Sequence, residues 1–348
     1  MKRTSHIYPI FLPHAGCPFQ CIYCNQHLVT RSEPDIHGGE DGLIRIVQDR
    51  LHEHAKRACK DPCPGEIAFY GGTFTALKRE TMAAILDESS QWVHRKAFSG
   101  IRFSTRPDCM SHPVCLILKD YPIQTVELGV QSFSDEVLDA SGRGYPAVAA
   151  ENAARLVKNS RWNLGIQLMP GLPEDTRERF LASVETCVAV GADFVRLYPS
   201  LVLERTALVG LHRTGRYVPL SLEEAVSWCA QAYEELGRSG IPLARAGLHG
   251  DPELERPGAI VAGPYHPAFG YLVRVRWWRE RVDRLLSALS TESCGRFLTV
   301  FVPRNLISEA IGPGRANVNH WKSRWAVDEI QILGRADWTD RRLEVIVH

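Results

Sequence analysis

The run Cys17-Pro18-Phe19-Gln20-Cys21-Ile22-Tyr23-Cys24 carries the densest chemistry in the sequence. Three thiolates at this spacing, in one loop after an apolar run, can wrap a single compact metal centre. Their softness favours iron–sulfur or zinc over a hard cation. A structural zinc normally takes four ligands, commonly in paired C-x2-C form, and the next cysteine is as distant as Cys59. Three thiolates on a four-iron cluster instead leave one iron free of protein, open to an exogenous ligand. A zinc centre completed by His14 or His27 is the alternative. The other cysteines, Cys59, Cys63, Cys109, Cys115, Cys187, Cys229 and Cys294, lack ligand spacing. Cys187 and Cys229 fall on predicted helices and read as small core residues.

A loop of this kind needs rigid elements to hold it. Strand-like runs are His6–Pro13, Glu66–Tyr70, Ile101–Thr105, Thr125–Val130, Asn163–Met169, Phe194–Pro199 and Ile241–Ala244. Helical segments alternate with them: Leu43–Ala58, Lys78–Lys96, Ala147–Asn159, Thr176–Val190 and Ser221–Arg238. Glu174-Asp175-Thr176 and Ser221-Leu222-Glu223-Glu224 look like helix starts, a capping side chain with acids facing the dipole. Repeated strand–helix units imply parallel strands in an α/β barrel or a doubly wound sheet. Polar or Gly-rich turns follow the strands: Gly71-Gly72-Thr73, Arg106-Pro107-Asp108, Gln131-Ser132, Pro170-Gly171-Leu172-Pro173 and Pro199-Ser200. The carboxyl ends of parallel strands are where such folds bind ligands, so five turns of this kind predict one shared site.

The 348 residues carry 41 Lys and Arg against 40 Asp and Glu, so bulk charge predicts no partner. No run of about 18 uninterrupted apolar residues exists, which excludes a membrane span, and the N-terminus reads as a first strand, not a signal peptide. Ten cysteines in this length are far from a disulfide scaffold, and a reducing cytoplasm is the expected setting. After about Gly250 the rhythm changes. A Pro-rich passage to His266-Pro267 leads into an Arg-studded helix, Leu272–Leu289, then strands Phe297–Pro303, Glu329–Leu333 and Leu343–Val347 with a helix near Leu306–Ala310. The expected division is therefore 1–250, 251–295 and 296–348. Between Gly270 and Trp325 ten Lys and Arg stand against four acids, together with Trp277, Trp278, Trp321 and Trp325. Interleaved basic and aromatic residues suit a nucleic-acid surface; an Arg-rich helix whose Trp face seals the barrel explains the same composition. Tyr265 and His266 either close the barrel mouth or simply form a turn.

C-x3-C-x2-C with an aromatic before the third cysteine resembles the signature of the radical S-adenosylmethionine (SAM) superfamily. Gly71-Gly72-Thr73, Ser104-Thr105-Arg106-Pro107-Asp108, Leu128-Gly129-Val130-Gln131-Ser132-Phe133, Met169-Pro170-Gly171-Leu172-Pro173 and Leu197-Tyr198-Pro199 resemble one subgroup. It contains the Elongator catalytic subunit and relatives of oxygen-independent coproporphyrinogen III oxidase. The resemblance implies a partial TIM-like (β/α)6 barrel and a [4Fe-4S] cluster on Cys17, Cys21 and Cys24. SAM would chelate the open iron, and an electron donor such as flavodoxin or ferredoxin would drive its cleavage to a 5′-deoxyadenosyl radical. It also implies that Gly71, Gly72 and Thr73 contact the methionyl end of SAM and the Tyr23 ring or backbone its adenine, unless Tyr23 is a core aromatic. Gln131 and Gln167 face the same strand-end region, either to bind the ribose or carboxylate or as satisfied buried amides. Arg196 and Arg245 sit on strand-like runs, where a charge needs a partner: a carboxylate or phosphate of SAM or substrate, or an acid such as Glu127.

Ile307–Val318, centred on Gly312-Pro313-Gly314-Arg315, resembles the core of a KH RNA-binding domain, with Arg315 in place of the second Gly of its Gly-x-x-Gly clamp. Expected RNA contacts are Arg274, Arg276, Gly312, Gly314, Arg315 and Lys322, with tRNA or rRNA as the substrate. Within 348 residues a second, acetyltransferase domain like that of the Elongator subunit finds no room, so an acetyl-derived modification is not expected. A small-molecule or porphyrin-like substrate, or a non-catalytic metal-stabilised RNA-binding protein, are the rival readings.

Overall fold

Seven short apolar runs become seven parallel strands. In the computed structural model, which describes residues 6–30, 39–58, 64–250, 252–288, 297–338 and 341–348, these are β1 (Ile7–Phe11), β2 (Glu66–Tyr70), β3 (Gly100–Thr105), β4 (Ile123–Gln131), β5 (Asn163–Leu168) and β6 (Phe194–Leu197), then, after the two-residue β7 (Val202–Leu203), β8 (Leu243–Ala246). The large sheet runs β1-β2-β3-β4-β5-β6-β8, every neighbouring pair parallel. It is the curled half-barrel of the expected fold, with seven strands where the resemblance implied six. β2 is buried at four of its five positions, as strands covered on both faces must be.

The helices cover the outside: α1 (Gln26–Thr30), α2 (Gly39–Ala58), α3 (Arg79–His94), α4 (His112–Leu118), α5 (Asp135–Ala140), α6 (Ala147–Asn159), α7 (Arg177–Ala189), α8 (Ala207–Arg213) and α9 (Leu222–Arg238). α6 shows the reason: Ala150, Ala153, Ala154 and Val157 fall on one stripe and are buried. α7 starts at Thr176, whose hydroxyl accepts from Arg179 N. α9 starts at a capping box in which Ser221 Oγ accepts from Glu224 N and Glu224 Oε2 accepts from Ser221 N. The short α4, α5 and α8 had no counterpart in the sequence reading, because one or two turns leave too little periodicity to see.

The composition change near Gly250 does not mark a gap. β9 (Ile260–Ala262) pairs back on β7, and α10 (Phe269–Ala288) packs on α9, burying Val273, Trp277, Trp278, Val282 and Leu286. A second sheet, ordered β11-β10-β12, follows from β10 (Phe297–Pro303), β11 (Glu329–Arg335) and β12 (Glu344–Val347), with α11 (Ile307–Ile311) and α12 (Ala316–Trp325) between the first two. β10 and β11 are parallel, β10 and β12 antiparallel. A single hydrophobic core runs from Ile10 in β1 through Trp278 to Ile330 in β11.

The tryptophans expected as a stacking surface turn inwards. Trp278 and Trp321 are fully buried, Trp277 is 5% exposed, and Trp325 gives its indole N–H to Asp283. Trp277 and Trp278 pack α10 against α9, and Trp321 and Trp325 tie α12 to α10 through Arg279 O and Asp283. Tyr265 and His266 lie just after β9, with Tyr265 packed against a small apolar cluster around Leu254. Among the described residues no helix is long and apolar enough to cross a membrane.

Candidate active site

The cysteine loop is fastened to β2 and its turn by main-chain bonds. Leu12 N donates to Tyr70 O at 2.7 Å, His14 N to Gly71 O at 2.8 Å, and Thr73 N to Ala15 O at 2.8 Å. The two segments approach so closely that neither Gly16 nor Gly72 has room for a side chain. A Cβ on Gly72 would collide with the carbonyl oxygens of Ala15 and Leu12, and one on Gly16 with that of Thr73. Gly72, expected to meet the methionyl end of SAM, lines the strand-end cavity, and its missing Cβ also admits the cysteine loop. Gly71 is required for a different reason, its φ of +92°.

This loop forms one wall of a cavity of about 700 Å³. Its other walls are the concave face and carboxyl ends of the sheet, through Tyr70, Ser104, Glu127, Gln131, Gln167, Arg196 and Arg245. Cys17, Cys21 and Cys24 all line it as free thiols. Burial, reinforced by Cys21, pushes the Cys24 thiol up to about 12. Burial also raises Cys17, against a hydrogen bond from Thr73 Oγ1 at 3.3 Å. Thr73 thus sits on the first cysteine itself.

Two buried arginines that sequence reasoning did not select stand over Cys21. Arg143, 4% exposed, reaches Cys21 Sγ with Nη1 at 3.1 Å and shares that nitrogen with Tyr23 Oη at 3.2 Å. Arg106, 5% exposed, lies 3.9 Å from the same sulfur, is held by both carboxylate oxygens of Asp108 at 2.9 Å, and stacks between Phe19 and Tyr145. A buried cation demands compensation, and among the described residues Arg143 finds no carboxylate, only carbonyls, phenols and a sulfur. Arg106 lay inside a quoted motif; Arg143 had only its flanking glycines, Gly142 and Gly144, as a signal.

The donor set fits an iron–sulfur cluster. Three free thiols line one chamber, and the irons of a cluster take one thiolate each. His14, offered as a zinc ligand, uses Nε2 to accept from Gln26 N at 3.1 Å; burial and the nearby His27 lower its pKa. Cys187 and Cys229 are fully buried core residues as expected, and Cys59, Cys63 and Cys294 lie outside the described residues.

The cavity also fits a polar cofactor. Gln131 sits at φ +73°, and its buried side-chain oxygen has no partner. The Tyr23 ring packs into a core with Val137, Leu172 and Tyr217, which leaves its backbone side on the cavity. Behind them runs a ladder of charges. Glu127, fully buried, accepts from Tyr70 Oη at 2.6 Å, Arg102 Nη1 at 2.9 Å, Arg196 Nη2 at 3.2 Å and Gln167 Nε2 at 3.3 Å. Arg102 also pairs with buried Glu66. Gln167 and Arg196 are therefore already engaged by the barrel acid.

At the other end, the expected RNA contacts divide. Arg274 donates to Glu309 at 2.6 Å, and Arg276 is paired with Glu280 at 2.7 Å and Glu223 at 3.3 Å. Gly312 is buried, its face closed by Val275. The two arginines are held in ion pairs and the glycine is buried. Gly314 and Arg315 are exposed in left-handed backbone at φ +55° and +63°, and Lys322 is half-buried on α12.

A parallel half-barrel with three free cysteines and a cofactor-sized cavity at its strand ends defines an enzyme whose metal and cofactor share one chamber. The chain belongs to the radical SAM superfamily, whose model matches residues 11–187, while the Radical_SAM C-terminal domain matches 192–279 and so runs across the composition change near 250. A [4Fe-4S] cluster and SAM are its cofactors. It is 31% identical over 188 residues to Elongator complex protein 3 of Mus musculus, covering 48% of this chain and 34% of that protein. It is 34% identical over 246 residues to the tRNA uridine(34) acetyltransferase of Methanocaldococcus infernus, covering 61% and 46%. To the heme chaperone HemW of Bacillus subtilis it is 25% identical over 266 residues, covering 75% and 64%. The chain thus spans a third to two thirds of the length of these relatives. Among solved structures, the archaeal Methanocaldococcus infernus Elp3 with an N-terminal deletion shares the fold, with a TM-score of 0.57 at 21% identity over 80% of this chain and 63% of that one.

Proposed function

We propose that the chain modifies RNA, tRNA before rRNA, by radical chemistry in this cavity. The observation that carries the radical step is the loop of three free thiols, locked to the Gly71-Gly72-Thr73 turn and faced by Arg143 and Arg106. Cys17, Cys21 and Cys24 hold the cluster, and Gly71 and Gln131 meet SAM. Bound there and reduced by a donor of flavodoxin or ferredoxin type, these groups supply a carbon radical able to take hydrogen from an unactivated position. The protein's own residues orient and insulate. Arg143 and Arg106 offset the negative charge that three thiolates bring into a buried site, and the cavity walls keep water from competing for the radical.

Two features support RNA as the substrate. The β10-α11-α12-β11 order, with its parallel pair and exposed Gly314-Arg315 turn, suits a KH-like clamp on a nucleotide backbone. A tRNA-modifying enzyme also stands among the relatives. Anaerobic reconstitution with dithionite, SAM and cellular RNA, followed by nucleoside mass spectrometry, tests the reading. A new SAM-dependent nucleoside, absent with Cys21→Ala and diminished with Arg315→Gln/Lys322→Gln, is expected. SAM cleavage that responds to small metabolites but never to RNA would sink the RNA assignment and favour a small substrate.

A further inference from the structure

The charges lining the barrel do not balance. Glu66 and Glu127 face Arg102 and Arg196, two acids for two bases, joined by ion pairs. Arg245 stands beside them as a third cation. It lies on β8 in register with Arg196 on β6, on the same cavity wall. Its Nε donates to Gly247 O at 3.2 Å, and among the described residues no carboxylate pairs with it. Like charges side by side on adjacent strands repel, and a partly buried guanidinium without a counter-ion is costly. Arg196 does not relieve this. Its Nε is 2.9 Å from Glu127 Oε2 but off the hydrogen-bonding direction, which leaves a buried donor without a hydrogen-bond partner. Its Nη1 reaches only Tyr198 Oη, at 3.4 Å. The Arg245 fork, its charge uncompensated, with Tyr198 and the loosely held Nη1 of Arg196 beside it, makes a receptor for an oxyanion.

We infer that Arg245, assisted by Arg196 and Tyr198, binds an oxyanion of the substrate, a phosphate or a carboxylate, inside the barrel. By strand order we assign the anion to the substrate, and the parallel SAM titration tests that assignment. Arg245 sits on β8 at one edge of the sheet, whereas the cysteine loop follows β1 at the other edge. The fork geometry of arginine suits either oxyanion bidentately. This inference rests on the cavity being the reaction chamber, and does not depend on RNA entering it.

Isothermal titration of the full chain, reconstituted anaerobically, with inorganic phosphate and separately with succinate at low salt, is the test. SAM is titrated in parallel. We expect at least one oxyanion to bind, and Arg245→Gln to weaken it about tenfold or more. Arg245→Lys, which keeps the charge and loses the fork, should weaken it less. SAM affinity should stay within about twofold of the parent in both variants, which also reports that they fold. A preference for phosphate identifies a nucleotide group, and a preference for succinate an organic acid; either supports the receptor. Three outcomes overturn it: oxyanions that bind Arg245→Gln as they bind the parent, no binding to the parent, or SAM affinity that falls along with Arg245, which would make the anion the cofactor's own carboxylate.

Discussion

At the scale of single residues, the site depends on two kinds of side chain, one absent and one buried. Gly72→Ala forces a methyl group into the carbonyls of Ala15 and Leu12. We expect it to cost about 1–3 kcal/mol, as overpacking does, and to lower the iron bound per chain, measured by denaturation and iron analysis. Arg143→Gln removes a cation from 3.1 Å of Cys21 Sγ. The cluster's reduction potential should become more negative by roughly 50 mV, near a tenfold change in a one-electron equilibrium, as read by an EPR-monitored redox titration. An unchanged potential would mean that the guanidinium serves packing alone. The cysteines were legible in the sequence because their chemistry is carried by type and spacing. Arg143 was not, because its role comes from a contact across 122 residues. Gly72 was legible as necessary, but its tight fit under the cysteine loop was not, since no local pattern reveals which backbone will press against it.

Elements show where local chemistry suffices. Ser221 was legible as a cap because both halves of its box lie within four residues. Ser221→Ala should cost about 1 kcal/mol in chemical denaturation without touching SAM affinity. The turn between β5 and α7 holds a less visible device. Asp175 accepts from Gly171 N at 2.8 Å with one oxygen and buries the other without a partner. Burial pushes its carboxyl up to about 7. Unfolded, the same group titrates near 4, about the usual aspartate value. Between these values the native state holds the extra proton, so the contribution of Asp175 to stability is fullest below pH ~4 and is lost as pH rises through ~7. Asp175→Asn should flatten that decline, as denaturation midpoints at pH 5 and pH 8 would report; equal slopes in both proteins would refute the assignment. The strand and helix bounds were readable because apolar runs and 3.6-residue stripes announce them, whereas the orphan oxygen of Asp175 belongs to the folded turn.

For the whole molecule, the Pro-rich passage suggested a border that the packing does not respect. Proline and glycine mark turns, and turns occur within cores as readily as between them. α10 brings Trp277 and Trp278 against α9, so a chain cut before Phe269 should expose the barrel's flank and aggregate. Trp277→Ala should cost about 3–5 kcal/mol, lowering barrel and C-terminal unfolding together in one calorimetric transition. Two separate transitions, with only one displaced, would show instead that the two sheets fold independently. The surplus of basic residues was visible in the sequence, but which of them stay free was decided by Glu309, Glu280 and Glu223 on other elements.

The main-chain bonds from Leu12 N to Tyr70 O, His14 N to Gly71 O and Thr73 N to Ala15 O seat the cysteine loop on β2 and its turn. The seat therefore depends on two side chains that are missing: a methyl group at Gly16 or Gly72 would pry the two backbones apart and displace all three thiols together.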